Sequence, residues 1–242
     1  MEAESQQSPT NGFGQLESDG FQIIKSWATE AECDQLAAEL TPLFQQQLAA
    51  SKNRIGGVRN LLQANPLVSA FAKSTKLASL LPQSTTMSFF PVRAIFFDKT
   101  PEANWLVPWH QDLAIALEER IETAGFTGWS VKDGILHVHP PEEVLANMIT
   151  MRLHLDDCDE TKGALKVIAG SHRAGKIPST EIAHWTATEK PIICEVPKGG
   201  VLLMRPLLLH ASAPAENPGN RRVLHIEFAS QTLPNGLKWL DN

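Results

Sequence analysis

The sequence predicts a single mainly β domain, a double-stranded β-helix (a jelly-roll of the cupin type) packed by N-terminal helices. Clear helical periodicity is confined to the first third of the chain. Short apolar segments rich in β-branched and aromatic residues, separated by Gly, Pro, Asp or Asn, follow in the remainder. Helices followed by a run of strands indicate two sheets with helices on one side. A chain of 242 residues with 43% hydrophobic residues is large enough for one such barrel and its core.

The domain boundaries follow from composition. Residues 1–15 are mostly polar, and we expect them to form a disordered N-terminal arm. Residues 16–242 show no internal repeat and no low-complexity linker, so we interpret them as one domain. Asp19-Gly20 predicts a turn, and a short apolar strand is expected to follow it up to residue 24.

The predicted helices lie between this strand and residue 81. Thr29 and Glu32 form a capping box, and the apolar residues that follow share one face at helical spacing. Pro42 is expected to end or kink this helix, because proline lacks the N–H that an internal position requires. A second helical region is predicted over residues 66–81.

Six later segments are predicted as strands because they are short, apolar and bounded by turn residues. They are residues 87–97, 148–155, 164–168, 191–196, 201–209 and 222–229. Pro206 indicates that the fifth segment is an edge strand, carries a bulge or contains a corner between two strands. Residues 113–147 are too long for an ordinary loop, and we expect a partly helical cap over a functional site.

Composition argues against several classes of partner. The formal charge of −6 and the absence of a basic stripe disfavour nucleic acid and anionic membranes. No apolar run reaches the roughly 18 residues of a membrane-spanning helix. The N-terminus lacks the charged and apolar regions of a secretory signal. Cys33, Cys158 and Cys194 show no disulfide or C-x-x-C spacing, which favours a reducing, cytoplasmic location.

The strongest local motif is His110-Gln111-Asp112. Residues i and i+2 of an extended segment point to the same side, so an imidazole and a carboxylate lie next to each other. They supply two of the three groups of a 2-His-1-carboxylate metal site. An H-x-D pair also occurs by chance, and a structural His–Asp pair is an equally good interpretation of this motif alone.

A third metal ligand must come from elsewhere, and His210 is the candidate because it ends an apolar strand. A lone histidine there is more often a satisfied core residue. However, residues 213–220 form a turn-rich connection, and a return strand would set Arg221 across from His210 on the neighbouring strand. Three ligands on one face of Fe(II) leave positions for a 2-oxoacid and O₂. An arginine suits the far carboxylate of 2-oxoglutarate, and Ser212 is placed to add a hydrogen bond.

These residues resemble the phytanoyl-CoA dioxygenase family of Fe(II)/2-oxoglutarate oxygenases over roughly residues 16–230. The stretches that carry the resemblance are LESDGFQII, KTPEANWLVPWHQD, LDDCDETKGALKVIAGSH and HAS…NRRVLHIEFA. It implies that the H-x-D pair and the distal histidine bind iron. It also implies that the arginine eleven residues after that histidine holds the cosubstrate, which selects Arg221 over Arg222. The implied cofactors are Fe(II), 2-oxoglutarate and O₂.

The resemblance is incomplete at Arg152, where the family's acyl-CoA-oxidising members carry an aromatic residue, and this weakens an acyl-CoA assignment. Arg152, His154 and Asp156 share one face of their strand. Facing the barrel, Arg152 would hold the cosubstrate or an anionic substrate; facing outward, all three would be solvated. Ile95 and Arg59 correspond loosely to positions that line the cosubstrate in the family.

Substrate contacts are harder to assign. Trp109 is a candidate beside the metal pair, with a core position as the alternative. His139 lies in the predicted cap, where a surface position or a substrate contact is expected. Arg93, Arg152 and Lys99 favour an anionic group on the substrate if they are not on the surface.

The predicted function is hydroxylation of a small organic substrate with release of succinate and CO₂. A catalytically silent jelly-roll that binds a metal or ligand is the main alternative. A zinc hydrolase also suits two histidines and an aspartate but leaves Arg221 unexplained. A nucleic-acid demethylase is disfavoured by charge, and a halogenase by the presence of Asp112. The substrate and the choice between monomer and homodimer remain open.

Overall fold

The computed structural model describes residues 13–51, 56–82, 88–217 and 219–240. Its α-helices are α1 (Phe13–Asp19), α2 (Glu30–Ala50), α3 (Leu61–Ala64), α4 (Pro66–Ala72), α5 (Thr75–Ala78), α6 (Glu142–Ala146) and α7 (Ile182–Thr188). Its strands are β1 (Phe21–Ile24), β2 (Phe90–Lys99), β3 (Val107–His110), β4 (Ile115–Leu117), β5 (Thr127–Lys132), β6 (Ile135–His139), β7 (Met148–His154), β8 (Leu165–Val167), β9 (Ile192–Cys194), β10 (Val201–Met204), β11 (His210–Ser212) and β12 (Arg221–Ala229). Within these ranges, no helix has the length and hydropathy needed to span a membrane.

Two antiparallel sheets form the double-stranded β-helix. The larger sheet has the strand order β1-β10-β7-β12-β2, and the smaller has the order β3-β11-β8-β9. A third sheet, β4-β6-β5, is inserted between β3 and β7 in the chain. The predicted fold class, a mainly β jelly-roll with flanking helices, is confirmed.

The N-terminal helices cover one face of the larger sheet. Leu36, Leu40 and Phe44 of α2 belong to the same buried cluster as Met151 and Leu153 of β7. Full burial of each such side chain contributes roughly 1.5–3 kcal/mol. Because side chains alternate along a strand, Arg152, which lies between these two, points to the opposite face, into the barrel.

Helix α2 begins where its capping box predicts. The Thr29 hydroxyl accepts a hydrogen bond from the Glu32 N–H at 3.2 Å, and the Glu32 carboxylate accepts one from the Thr29 N–H at 2.8 Å. The helix does not end at Pro42 but continues to Ala50. Burial of the apolar face on both sides of the proline, including Phe44, offsets the backbone hydrogen bond that Pro42 cannot donate.

Residues 201–209 do not form one continuous strand, and Pro206 lies in a corner between two strands, which is one of the three alternatives that the proline indicated. Strand β10 ends in the larger sheet, the chain turns, and β11 begins in the smaller sheet. His210 therefore pairs with His110 of β3 and Val167 of β8. Arg221 pairs with Lys99 of β2. The expectation that Arg221 lies on the strand next to His210 is wrong, because β11, which holds His210, and β12, which holds Arg221, belong to different sheets.

Residues 113–147 were expected to be partly helical, but they contain more β-strand than α-helix. They form β4, β5 and β6, and only α6 is α-helical. Asp133 and Gly134 connect β5 to β6 with positive φ angles of 53° and 78°, typical of a tight hairpin turn. Their role as a cap stays a prediction. Of the predicted N-terminal arm, residues 1–12 lie outside the described residues, and residues 13–15 belong to α1.

Candidate active site

Three candidate metal ligands meet where β3 and β11 pair. His110 and His210 are cross-strand partners. Asp112 lies two residues after the end of β3, and its backbone N–H donates to Pro206 O at 2.9 Å. One Asp112 oxygen lies 3.7 Å from His110 Nε2, and the other lies 3.8 Å from His210 Nε2. The three residues offer ligand atoms that all lie within 4.8 Å of one another, so one ion can contact all three.

The two histidines are oriented to act as ligands. Each directs Nδ1 to the carbonyl oxygen two residues before it, His110 to Pro108 and His210 to Leu208, both at 2.8 Å. A carbonyl oxygen only accepts hydrogen bonds, so Nδ1 carries the hydrogen and Nε2 keeps its lone pair for a metal. Burial lowers the pKa of His210 to about 4, which keeps the ring neutral near pH 7. The negative charge of Asp112 raises this pKa and the charge of His110 lowers it, but burial is the largest effect.

The charge of Asp112 suits the same purpose. Burial alone would raise the pKa of this carboxyl, but His210, His225, His110 and Arg93 outweigh that effect and hold its pKa at about 2. The carboxylate is therefore ionised near neutral pH. Two neutral nitrogens and one carboxylate oxygen are the donor set of the 2-His-1-carboxylate iron site, so these residues fit Fe(II).

Gln111, between two of the ligands, was not singled out from the sequence. Its amide donates to Gly175 O at 2.8 Å and Leu207 O at 2.6 Å, and its oxygen accepts from the Ile177 N–H at 2.8 Å. The side chain is buried, and these contacts tie the ligand loop to two other segments. No local pattern indicates such a role, because all three partners are distant in sequence.

A cavity of about 200 Å³ lies beside the metal residues, between the two sheets. Arg152, Ser212 and Arg221 contribute to its wall, and Asp112 is the only carboxylate among the described residues that line it. The Nε atoms of Arg152 and Arg221 are buried without a hydrogen-bond partner among the described residues. Two buried guanidinium groups with unused donors suit an anionic ligand next to the metal.

Lys99 adds a third positive charge to this region. It is fully buried, and its ammonium donates to Ser212 Oγ at 2.8 Å and to Ala213 O. Ser212 Oγ in turn donates to Gly163 O at 2.9 Å. Burial, followed by the charge of Arg221 opposite, lowers the pKa of Lys99 to about 7. The sequence grouped Lys99 with the substrate, but the structure places it beside Ser212 and Arg221.

Arg152 faces into the barrel. Its guanidinium donates to His225 Nδ1 at 3.0 Å and lies over the ring of Phe97 at 5.6 Å. His225 therefore carries its hydrogen on Nε2, which donates to Glu227 at 3.1 Å. His154 is buried on the same face, but Asp156 lies beyond the end of β7 and does not follow the inward alternation.

Arg221 and Arg222 point in different directions, as neighbouring residues of a strand must. Arg221 is buried against the smaller cavity. Arg222 forms a two-pronged ion pair with Asp156, at 2.6 and 2.8 Å, outside that cavity. Only Arg221 is placed to reach a ligand beside the metal.

A second, larger cavity of about 460 Å³ meets the metal from another side. It shares four residues with the smaller one: Phe97, His110, Asp112 and His225. The remaining residues of its wall are Arg59, Arg93, Ile95, Gln111, Leu113, Ala114, Lys132, His137 and His139.

The sequence-predicted substrate and cosubstrate residues divide between these cavities. Arg93 and His139 line the larger cavity. Arg59 and Ile95, expected near the cosubstrate, also line the larger cavity rather than the one that holds Arg221. Trp109 is in neither wall; it packs in an apolar cluster with Ile168, Ile177 and Leu209, which matches its core alternative.

Comparison with protein families gives one match. Residues 16–223 match the model of the phytanoyl-CoA dioxygenase family, which covers most of the chain. No curated protein sequence matches the chain.

Solved structures share the fold at low sequence identity. AviO1 from Streptomyces viridochromogenes Tue57 is 20% identical, with 96% of this chain and 99% of that chain covered and a TM-score of 0.66. HygX from Streptomyces hygroscopicus with nickel and 2-oxoglutarate bound is 16% identical, with 91% and 86% covered and a TM-score of 0.62. SnoN, a non-haem alpha-ketoglutarate-dependent epimerase from nogalamycin biosynthesis, is 13% identical, with 96% and 88% covered and a TM-score of 0.65.

Proposed function

The chain belongs to the phytanoyl-CoA dioxygenase family, and on this basis we propose that it is an Fe(II)- and 2-oxoglutarate-dependent dioxygenase that hydroxylates a small organic molecule. The observation that carries the proposal is the arrangement of His110, Asp112 and His210 beside a cationic cavity. The similar fold of HygX, solved with nickel and 2-oxoglutarate, supports the cofactor assignment.

His110, Asp112 and His210 would hold the iron through two Nε2 atoms and the carboxylate. Three protein ligands would leave room on the ion for 2-oxoglutarate and O₂. When bound, iron, 2-oxoglutarate and O₂ supply the oxidation, with release of succinate and CO₂. The protein's part is to orient these groups and keep water out of the cavity.

The smaller cavity suits 2-oxoglutarate because its cations match a dianion. Arg221 is the anchor for the far carboxylate, since a guanidinium stays charged and binds a carboxylate through two donors. Lys99 holds Ser212 in place and adds positive charge at the same end. Arg152, fixed by His225, brings a further charge to the cavity wall.

The larger cavity is then the substrate site, because it reaches the same metal residues from another side. We propose hydroxylation rather than another oxidation as the outcome. Because SnoN, which has a similar fold, is an epimerase, the product of this protein has to be identified directly to test that choice. A zinc hydrolase would leave the buried cations of the smaller cavity without a purpose.

The test is anaerobic reconstitution with Fe(II) and 2-oxoglutarate, followed by exposure to O₂. We expect a metal-to-cosubstrate charge-transfer absorption band and slow succinate formation without added substrate. Asp112→Ala is expected to abolish both, whereas Asp34→Ala, at an exposed residue ion-paired with Lys198, serves as the matched control. No band and no succinate from the wild type would favour the silent barrel. Full activity of Asp112→Ala would contradict the metal assignment.

A further inference from the structure

We propose that the larger cavity binds a substrate that carries an oxyanion, a carboxylate or a phosphate, and that Lys132 is the residue that recognises this group. This inference rests on the proposed function, because it treats the larger cavity as the substrate site. At about 460 Å³, the cavity lies within the roughly 300–1,000 Å³ typical of small-molecule sites.

Basic side chains outnumber acidic ones in the cavity wall. Among the described residues that line it, Arg59, Arg93 and Lys132 are basic, and Asp112, the candidate metal ligand, is the only carboxylate. The whole chain, in contrast, has a formal charge of −6. Carboxylates outside the wall offset two of these cations, so the charge of Lys132 is the one left to attract an anion.

Two of these cations already have partners. Arg93 forms a buried ion pair with Glu227, and Arg59 pairs with Asp133 at 2.7 Å. Lys132 has no ion pair with any described residue, and its side chain belongs to an exposed residue at the end of β5. Among the basic residues that the structure describes in this wall, Lys132 is the one left free to bind a ligand.

The hairpin between β5 and β6 holds Lys132 in this position. The tight turn at Asp133 and Gly134 sets Lys132 directly opposite Ile135. The ion pair from Arg59 to Asp133 ties the same turn to the segment before α3. The hairpin register and this ion pair place the backbone of Lys132 beside the cavity, and its side chain contributes to the cavity wall.

His137 adds a second specificity element. It is buried, and its Nδ1 donates to Ile135 O at 2.9 Å, so Nε2 is the nitrogen that remains as an acceptor. Burial lowers the pKa of this histidine, and the charges of Arg93, Lys132 and Arg59 lower it further. The hydrogen bond to Ile135 O raises the pKa but does not outweigh them, so the ring stays neutral near pH 7. A neutral acceptor among cations selects a hydrogen-bond donor, such as a hydroxyl group, on the same substrate.

The substrate class is tested with matched pairs in the succinate assay. Each small carboxylic acid or phosphate monoester is measured beside its methyl ester or its dephosphorylated form. We expect anionic members, with a hydroxyl group in the best of them, to stimulate 2-oxoglutarate turnover by about tenfold over the neutral partner. Carboxylates and phosphates are tested as two separate sets of compounds. The set that gives the larger stimulation of 2-oxoglutarate turnover identifies the oxyanion.

The role of Lys132 is tested with Lys132→Glu and, as a matched control, Lys190→Glu, an exposed lysine outside both cavities. Lys132→Glu is expected to raise KM for the best anion by about tenfold or more, because it places a like charge beside the ligand. Its KM for the neutral partner should change little, and Lys190→Glu should match the wild type.

The outcomes separate this inference from the proposed function. Absence of the charge-transfer band in the wild type would remove the proposed function. With the band present, equal stimulation by neutral partners, stimulation by no anionic member, or an unchanged KM in Lys132→Glu would each overturn the oxyanion site.

Discussion

Replacement of Lys99 by methionine gives the sharpest test of the cosubstrate cavity. Methionine has a similar length but no charge, and Lys99 is fully buried, so the change removes the ammonium with little change of shape. Ser212 Oγ keeps its hydrogen bond to Gly163 O at 2.9 Å. The ligand-free variant should stay folded, since it loses a buried charge that has no carboxylate partner among the described residues.

Lys99 acts on 2-oxoglutarate through its charge and through Ser212, because it is not part of the cavity wall itself. At an effective dielectric constant of about 20, a unit charge roughly 10 Å away contributes about 1.7 kcal/mol. Each 1.4 kcal/mol corresponds to a factor of about ten in Kd. We therefore expect Lys99→Met to weaken 2-oxoglutarate binding by about tenfold, although Arg221 is still present.

The same lysine makes binding depend on pH. Burial and Arg221 lower the pKa of Lys99 from 10.5 to about 7 in the ligand-free protein. In the window from pH 7 to 10.5 the unfolded chain binds the proton and the folded protein does not, so this residue's contribution to stability rises with pH there. A bound dianion would favour the ammonium again. Affinity for 2-oxoglutarate is thus expected to fall as pH rises from about 6.5 to 8.5.

Other groups around Lys99 do not titrate in this range. Arg221 on β12 and Arg152 on β7 face it, and each keeps its charge despite a pKa lowered by burial. Cys158 stays a neutral thiol because burial raises its pKa. The pH dependence should consequently disappear in Lys99→Met.

Calorimetry and thermal shift with the Ni(II)-loaded protein measure the affinity for 2-oxoglutarate and its pH dependence without turnover. 2-Oxopentanoate, which has the same carbon chain but no far carboxylate, is the matched ligand, and Lys190→Met is the matched variant. The reasoning is refuted if Lys99→Met binds 2-oxoglutarate as tightly as the wild type. Equal weakening for both ligands would also refute it, since that result indicates general damage to the cavity.

Three further predictions concern neighbouring residues. Arg221→Ala should weaken 2-oxoglutarate binding by about a hundredfold. Arg222→Ala should lower the free energy of unfolding by at most about 1 kcal/mol and leave the Kd for 2-oxoglutarate unchanged. Calorimetry measures Kd and urea unfolding measures stability, and equal Kd values for the two variants would contradict the assignment of Arg221. Gln111→Leu should lower the free energy of unfolding by about 2–4 kcal/mol and weaken Ni(II) binding, and wild-type values for both would contradict its positioning role. Glu227→Gln leaves the Arg93 charge buried without its partner and should cost about 3–5 kcal/mol in urea unfolding; a loss below 1 kcal/mol would contradict a buried pair.

Local sequence determined several features. The capping box at Thr29, five of the six predicted strand segments and the i, i+2 relation of His110 and Asp112 depend on residues a few positions apart, and the structure has each of them. The hairpin at Asp133-Gly134 was equally local but was not identified, and a partly helical segment was expected there instead.

Tertiary structure decided which side of each strand faces the cavities. Alternation along β7 places Arg152 and His154 on one face but does not say which face is inward. The helices settle this by packing on Met151 and Leu153, so that Arg152 is left inside the barrel. The physical reason is that burial depends on what covers a sheet, and here the covering helices come from a distant part of the chain.

The two cavities likewise depend on contacts between distant segments. The corner at Pro206 moves His210 into one sheet, while pairing of β12 with β2 brings Arg221 and Lys99 together in the other. Sequence alone determined which residues have metal-binding and anion-binding chemistry, because that is a property of each side chain. Only the folded chain decided that Lys99 lies with Arg221 and that Arg59 lies in the larger cavity, because sheet pairing brings together residues from different strands.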